Sequence, residues 1–129
     1  MEDLLIAART VWGEARGESY EGKKAVAHVL LNRVKAGHGR ASTLAAVCLQ
    51  PLQFSCWNGD DPNLPKLRAA GLEDRHFRGC LRAVLDAMDE PDFTLGARWY
   101  HTRGVAPAWS RGKTPCFTAG AHIFFNDVD

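Results

Sequence analysis

Trp12-Gly13-Glu14-Ala15-Arg16-Gly17-Glu18 is the segment on which the reading of this 129-residue chain turns. The residues leading into it, Asp3 to Ala15, carry a helical period. At 100° per residue Leu4, Ala8, Val11 and Ala15 fall on one stripe, with Ala7 and Trp12 at its edges. Glu2, Arg9 and Arg16 take the opposite, solvated face. Glu14 does not join them; it falls on the shoulder of the apolar stripe, beside Ala7 and Val11. A carboxyl half-turned into apolar packing has its charged form disfavoured. That is the condition under which a glutamic acid stays protonated near neutral pH and serves as a general acid. Against this stands the ordinary use of a helix-end Glu as a solvated or capping residue. Gly13 leaves room for a ligand to approach the helix, and Gly17 is expected to stop it. Glu18 reads as a helix-start or positioning residue rather than the acid.

Working outward, Ser19 is an expected N-cap for a second helix, from Tyr20 to about Lys35. Gly22, Ala25, Val26, Val29 and Leu30 lie on one side and Ala27, Leu31 and Val34 on the other. A helix apolar nearly all round is central and buried. Arg33 projects from its apolar side, where an arginine snorkelling at a helix end is the default. Ser42 is expected to start a short helix to Cys48, which Pro51 closes. Gln50 to Leu67, with three prolines and an Asn-Gly, reads as one long loop. Phe54 and Trp57 tack it down, and its aromatic and amide content suits sugar. Leu72 to Met88 is a further amphipathic helix, with Phe77, Cys80, Leu81, Val84, Leu85 and Met88 on its apolar face and His76 in solvent. The last third changes character. Ala97–His101 and His122–Phe125 read as aromatic strands separated by Gly and Pro turns. The expected architecture is α+β and mainly helical. It has about four helices and a small C-terminal antiparallel β-hairpin or sheet, in a single domain spanning 1–129.

Composition excludes several classes. Hydrophobic residues make up 46% and charged residues 24%, and the net charge is +1, which argues against nucleic acid as a partner. No apolar run approaches the ~18–20 residues that span a bilayer. The acidic N-terminus does not resemble a secretory leader, so synthesis in the cytoplasm is expected, with stable membrane insertion excluded. Cys48, Cys56, Cys80 and Cys116 form no Cys-x-x-Cys pair, and free thiols are expected; Cys48 with Cys56 is the one pair close enough to suggest a bridge. The five histidines show no metal-binding spacing, so no metal and no cofactor is expected. Cys56 with His101 or His122 is a weak nucleophile–base combination. Glycosidic cleavage remains, with Glu14 as acid. A second carboxylate, if used, would be Glu18, Asp60 or Asp61, and Trp57, Trp99, Tyr100 and Trp109 could line a groove.

Longer stretches carry a resemblance. Trp-Gly-Glu-Ala-Arg-Gly-Glu-Ser-Tyr-Glu-Gly (12–22), Ala-Val-Ala-His-Val-Leu-Leu-Asn-Arg-Val (25–34), Gln-Pro-Leu-Gln-Phe-Ser (50–55), Trp-Tyr-His (99–101), Trp-Ser (109–110) and Gly-Ala-His-Ile-Phe-Phe (120–125) resemble the cell wall hydrolase family of the spore cortex-lytic enzymes. The resemblance implies a lysozyme-like, mainly helical lytic transglycosylase acting on peptidoglycan glycan strands. It cleaves the β-1,4 bond between N-acetylmuramic acid and N-acetylglucosamine. By the same resemblance Glu14 is the catalytic acid and base, Gln53, Phe54 and Ser55 border the groove, and Tyr100 approaches the reacting sugar. Glu18, Trp57 and Trp109 complete the expected substrate contacts, and His122 braces the C-terminal strands. No wall-binding module or leader of the family's kind is expected from these 129 residues. This fits an endolysin-like monomer that reaches the wall through a membrane-permeabilising partner. The competing readings are a hydrolytic muramidase, a non-catalytic glycan-binding protein, and an amidase or peptidase working through Cys56 or zinc.

Overall fold

The computed structural model describes residues 2–51 and 53–128, so Met1, Leu52 and Asp129 of the expected 1–129 domain lie outside the described residues. Helix α1 (Glu2–Ala15) opens with Glu2 and Asp3 in its first turn, where carboxylates complement the helix dipole. Asp3 also accepts a hydrogen bond from the Ala45 backbone N–H at 2.9 Å, tying α1 to helix α3 (Leu44–Cys48). Helix α2 (Tyr20–Ala36) begins as expected at Ser19, whose hydroxyl accepts from the Gly22 N–H at 3.2 Å. Gly37 ends it in the left-handed region at φ 65°, donating to the Arg33 and Val34 carbonyls. The cap of α3 is Thr43, not Ser42: its side chain accepts from the Ala46 N–H at 3.1 Å.

Two expectations need correction. The stretch read as one long loop contains a 3-10 turn at Ser55–Trp57 and helix α4 (Leu64–Ala69), so the described residues hold five α-helices. Pro65 stands in the first turn of α4, where no backbone donor is needed, and so does not break it. Helix α5 (Arg75–Asp89) starts after Asp74, whose carboxylate accepts from the His76 N–H at 2.8 Å. Leu72 therefore lies outside it and is exposed, as are Leu85 and Met88. The buried stripe is narrower than read: Phe77, Cys80, Ala83, Val84 and Ala87.

Helices α1 and α2 pack against α5, and Val11, Val26, Val29, Leu30, Phe77 and Val84 close the core between them. Strands β1 (Trp99–Thr102), β2 (Pro115–Ala119) and β3 (His122–Phe125) form an antiparallel sheet in the order β1-β3-β2. Tyr100 pairs with Phe124 and Thr102 with His122, while a bulge interrupts β2 between Pro115 and Phe117. Phe124 is fully buried, and this register sets Tyr100 beside it with ring centroids 5.6 Å apart. The sheet thus presents Tyr100 to the C-terminal end of α1. All four cysteines are free. Among the described residues no helix is long and apolar enough to cross a membrane.

Candidate active site

The last turn of α1 brings Glu14 to the wall of a cavity of ≈ 350 Å³, lined also by Arg33, Gln53, Phe54, Trp99, Tyr100 and Trp109. Each comes from a different local cause. Arg33 is carried by the C-terminal turns of α2, Gln53 and Phe54 by the chain before the 3-10 turn, and Trp99 and Tyr100 by β1. Trp109 sits in a second 3-10 turn, Ala108–Ser110. Glu14 is half-buried, as its position on the apolar shoulder implied.

The Tyr100 phenol donates to Glu14 Oε1 at 2.5 Å. Burial, reinforced by the adjoining Glu14, holds the Tyr100 hydroxyl far above its usual range, so it stays a neutral donor. Cys56 is also pushed up, by burial first and by Glu14 second. A thiol held protonated is a poor nucleophile, which counts against the cysteine chemistry weighed above. Gly13 is packed rather than open: a Cβ there would come within 2.6 Å of Cys56 Cβ. The close approach expected of a ligand at Gly13 is made by the 3-10 turn instead.

Glu18 turns away from this cavity. Its Oε1 accepts from the Ala121 N–H at 2.9 Å and lies 3.3 Å from His122 Nδ1. His122 is buried and meets Tyr100 edge-on at 5.0 Å. Burial lowers the His122 pKa, against the smaller opposing pull of Glu18 and Glu14. A continuous line therefore runs from Glu18 through His122 and Tyr100 to Glu14, and it fixes the β2–β3 turn against the end of α1.

Arg33 does not snorkel. It is 3% exposed, with Nε donating to the Arg98 carbonyl at 2.6 Å and Nη1 to Gln53 Oε1 at 3.2 Å. Its guanidinium carbon lies 4.9 Å from the Phe54 ring centre and 5.1 Å from that of Trp99. Trp99 and Trp109 stand 5.0 Å apart, and His101 and Phe125 pack on Trp109 at 5.6 and 5.3 Å. This aromatic wall can stack a pyranose ring, while Gln53 offers an amide to its hydroxyls.

Of the residues singled out from sequence, Glu14, Gln53, Phe54, Trp99, Tyr100 and Trp109 meet at the cavity. Ser55 is exposed beside it. Trp57 donates its indole N–H to Thr10 Oγ1 at 2.9 Å and so clamps the 3-10 turn to α1. Asp60 is exposed, and Asp61 caps the Asn63 N–H at 2.8 Å. Arg33 and Cys56 were underrated. The one signal for Arg33 was a cation on the apolar side of a buried helix. Nothing in the spacing joins Cys56 to Glu14, because only the fold brings the 3-10 turn under α1. Among the described residues no cluster of three His, Cys, Asp or Glu is placed to hold a metal ion.

Known proteins share this arrangement of elements. The catalytic domain of the germination-specific lytic transglycosylase SleB from Bacillus anthracis superposes with a TM-score of 0.78 at 30% identity, covering 97% of this chain and 94% of that one. The catalytic domain of Bacillus cereus SleB gives 0.75, also at 30%, covering 95% and 88%. The spore cortex-lytic enzyme of Halalkalibacterium halodurans is 34% identical over 128 residues, covering 96% of this chain and 34% of its own length. That of Bacillus subtilis is 32% identical over 123 residues, covering 95% and 37%. The chain spans about a third of the length of these curated relatives. Residues 17–125 match the model of the Cell Wall Hydrolase family, and the chain belongs to that family.

Proposed function

We propose that this chain is a peptidoglycan lytic transglycosylase in which Glu14 is both acid and base. The observation that carries the reading is a sugar-sized aromatic cavity lined by a single carboxylate among the described residues, with a phenol fixed on it. The Bacillus anthracis SleB catalytic domain, a lytic transglycosylase of the same fold, supports the reaction class. The family match begins at residue 17, just past Glu14, so the assignment of Glu14 is supported by the resemblance of the 12–22 segment together with the cavity geometry.

The chemistry balances with one carboxyl group. Glu14 gives its proton to the glycosidic oxygen, and the C1–O bond breaks to release the N-acetylglucosamine hydroxyl. The Glu14 carboxylate then takes the proton of the muramoyl C6 hydroxyl as O6 closes on C1. The product is a 1,6-anhydro ring, Glu14 is protonated again, and no water is consumed. Hydrolysis would call for a second carboxylate to activate water or attack C1. Glu18 is tied to the β2–β3 turn and Asp61 to a backbone cap, so neither is free for that role. Tyr100 orients the carboxyl, and Glu18 with His122 positions Tyr100. Phe54, Trp99 and Trp109 hold the sugar rings, with Gln53 on their hydroxyls and Ser55 at the rim.

Mass spectrometry of muropeptides released from purified sacculi tests this. The wild type should release products ending in anhydromuramic acid, each lacking one water relative to a reducing end, and Glu14→Gln should release none. Reducing ends would establish the muramidase instead. Retention on sacculi with no release by either protein would indicate a binding module, and free stem peptides an amidase or peptidase.

A further inference from the structure

We propose that Arg33 is a positioning residue for the Glu14 proton cycle: its buried guanidinium is the fixed positive charge that lets Glu14 form a carboxylate once glycan has displaced water from the cavity. This rests on the reading of Glu14 as acid and base.

Arg33 is a buried cation whose hydrogen bonds go to neutral acceptors, a carbonyl and an amide. Among the described residues no carboxylate oxygen lies within 4.0 Å of it. Burying a charge without an ionic partner costs on the order of several kcal/mol, so a stability role alone is an expensive use of this residue. Burial lowers its pKa only to about 10, and it remains charged at neutral pH.

Four groups from four elements surround Glu14: Arg33 on α2 and Tyr100 on β1 line its cavity, Cys56 on the 3-10 turn packs against the neighbouring Gly13, and His122 on β3 meets Tyr100 edge-on at 5.0 Å. Burial keeps the Cys56 thiol and the Tyr100 phenol protonated and drives His122 toward its uncharged form. Arg33 alone of the four carries a charge at neutral pH. Around Arg33 itself lie Tyr100, Cys48, Arg98 and His38. The Cys48 thiol is pushed up to about 12 and His38 is lowered, both by burial, so of these four groups Arg98 carries the one other positive charge. A sugar seated against Trp99 and Phe54 would remove the water that otherwise solvates a newly formed carboxylate, and charge separation becomes harder there. A cation already fixed in the wall offsets that loss without having to reorganise.

The test uses Arg33→Met and Arg33→Gln, which remove the charge, beside Arg33→Lys, which keeps it. The first readout is the pH dependence of kcat for anhydro-product release. The second is the carbon-13 titration of the Glu14 carboxyl in the protein without substrate. Both charge-removing variants should lose about tenfold to a hundredfold in kcat. Their alkaline limb and their Glu14 titration should move to higher pH, while Arg33→Lys keeps both near wild type. A role in packing alone would depress all three variants together and leave the titration unmoved, which overturns the proposal. If one charge-removing variant fails to fold, the other carries the same reading. A wild type that releases no anhydro product defeats the lytic assignment, and the titration still decides the coupling of Arg33 to Glu14.

Discussion

The two flanks of helix α2 treat most of their polar groups in opposite ways, the exception being the buried His28 Nε2, which among the described residues lacks a hydrogen-bond partner on the Asp92 flank. On the flank facing the α5–β1 connection, Asp92 accepts from the Thr94 N–H and hydroxyl, the Gly96 N–H and the Asn32 amide at 2.6–2.9 Å. Asn32 also donates to the Ala97 carbonyl, and Lys24 pairs with Glu90 at 2.7 Å. There the hydrogen bonds pin a connection in place. On the other flank, among the described residues, Arg33 has no ionic partner, the Trp99 indole N–H is buried without an acceptor, and Glu14 holds one phenol at the edge of a cavity. The contrast separates polar groups that the fold has used up from polar groups it keeps for something else. Changes on the cavity flank should therefore alter rate and spare stability, and changes on the opposite flank should do the reverse.

The sharpest separation should come from Glu14→Gln. Removing the proton donor should cost at least about 10²–10⁴ in kcat. The melting temperature should hold or rise, since a carboxyl kept for chemistry stores instability rather than relieving it. A melting temperature several degrees lower would show that Glu14 is structural and break the comparison. Asp92→Ala is its counterpart. It leaves the Thr94 and Gly96 N–H groups without their carboxylate and should cost about 2–4 kcal/mol in urea denaturation. Specific activity per folded molecule should stay within about twofold of wild type, a small change on this scale.

Much of the cavity flank was legible in the chain, and for a specific reason. Helical periodicity places Glu14 beside Val11 but leaves a capping role open, and the resemblance singles it out as the acid. Trp99, Tyr100 and Trp109 were legible as aromatics able to line a groove and Phe54 as part of a sugar-suited loop, whereas Gln53 came from a resemblance spread over long stretches rather than from any periodicity. Arg33 was visible as a cation on an apolar face, but the choice between snorkelling and burial depends on what stands beside the helix end. Those neighbours are Gln53 and Arg98, 20 and 65 positions away along the chain. The same distance effect hid the packing of Cys56 on Gly13. Helix α4 was missed because Pro65 reads as a breaker until its place in a first turn is known. The start of α5 differs from the reading because Leu72 looks like core, whereas Asp74 caps the helix and leaves Leu72 outside it in solvent.

Tyr100→Phe sharpens the comparison within the cavity flank. The ring keeps its contacts with His122 and Phe124, so the melting temperature should change little. What goes is one hydrogen bond to a group that becomes charged during the reaction, worth about 1.5–3 kcal/mol. The expected result is a loss of about tenfold to a hundredfold in kcat with KM nearly unchanged. An equal rise in KM would mean that the phenol binds sugar rather than holding Glu14.

The smallest effect tests the comparison through pH. His28, on the Asp92 flank, has its pKa lowered from the ordinary 6.5 by burial, which outweighs the opposing pull of Asp92 and Glu90. The unfolded chain therefore binds a proton near 6.5 while the folded chain still refuses it. Stability from this group is complete above that value and drains away as pH falls below it, by at most about 1.4 kcal/mol per pH unit. His122 should contribute with the same sign from the cavity flank, since burial lowers its pKa too. His28→Gln should thus flatten, without abolishing, the decline in urea-unfolding free energy between about pH 6.5 and 5.5, and leave the rate profile untouched. Asp92 moves the other way in cause but not in sign. Burial tends to raise its pKa, yet the hydrogen bonds from Thr94, Asn32 and Gly96 prevail and lower it. Its share is lost only in the more acid range, below about 4, where carboxylates ordinarily titrate. A His28→Gln protein whose stability fell between pH 6.5 and 5.5 as steeply as wild type would assign the whole decline to the cavity flank, and the division of labour across α2 would not extend to protons.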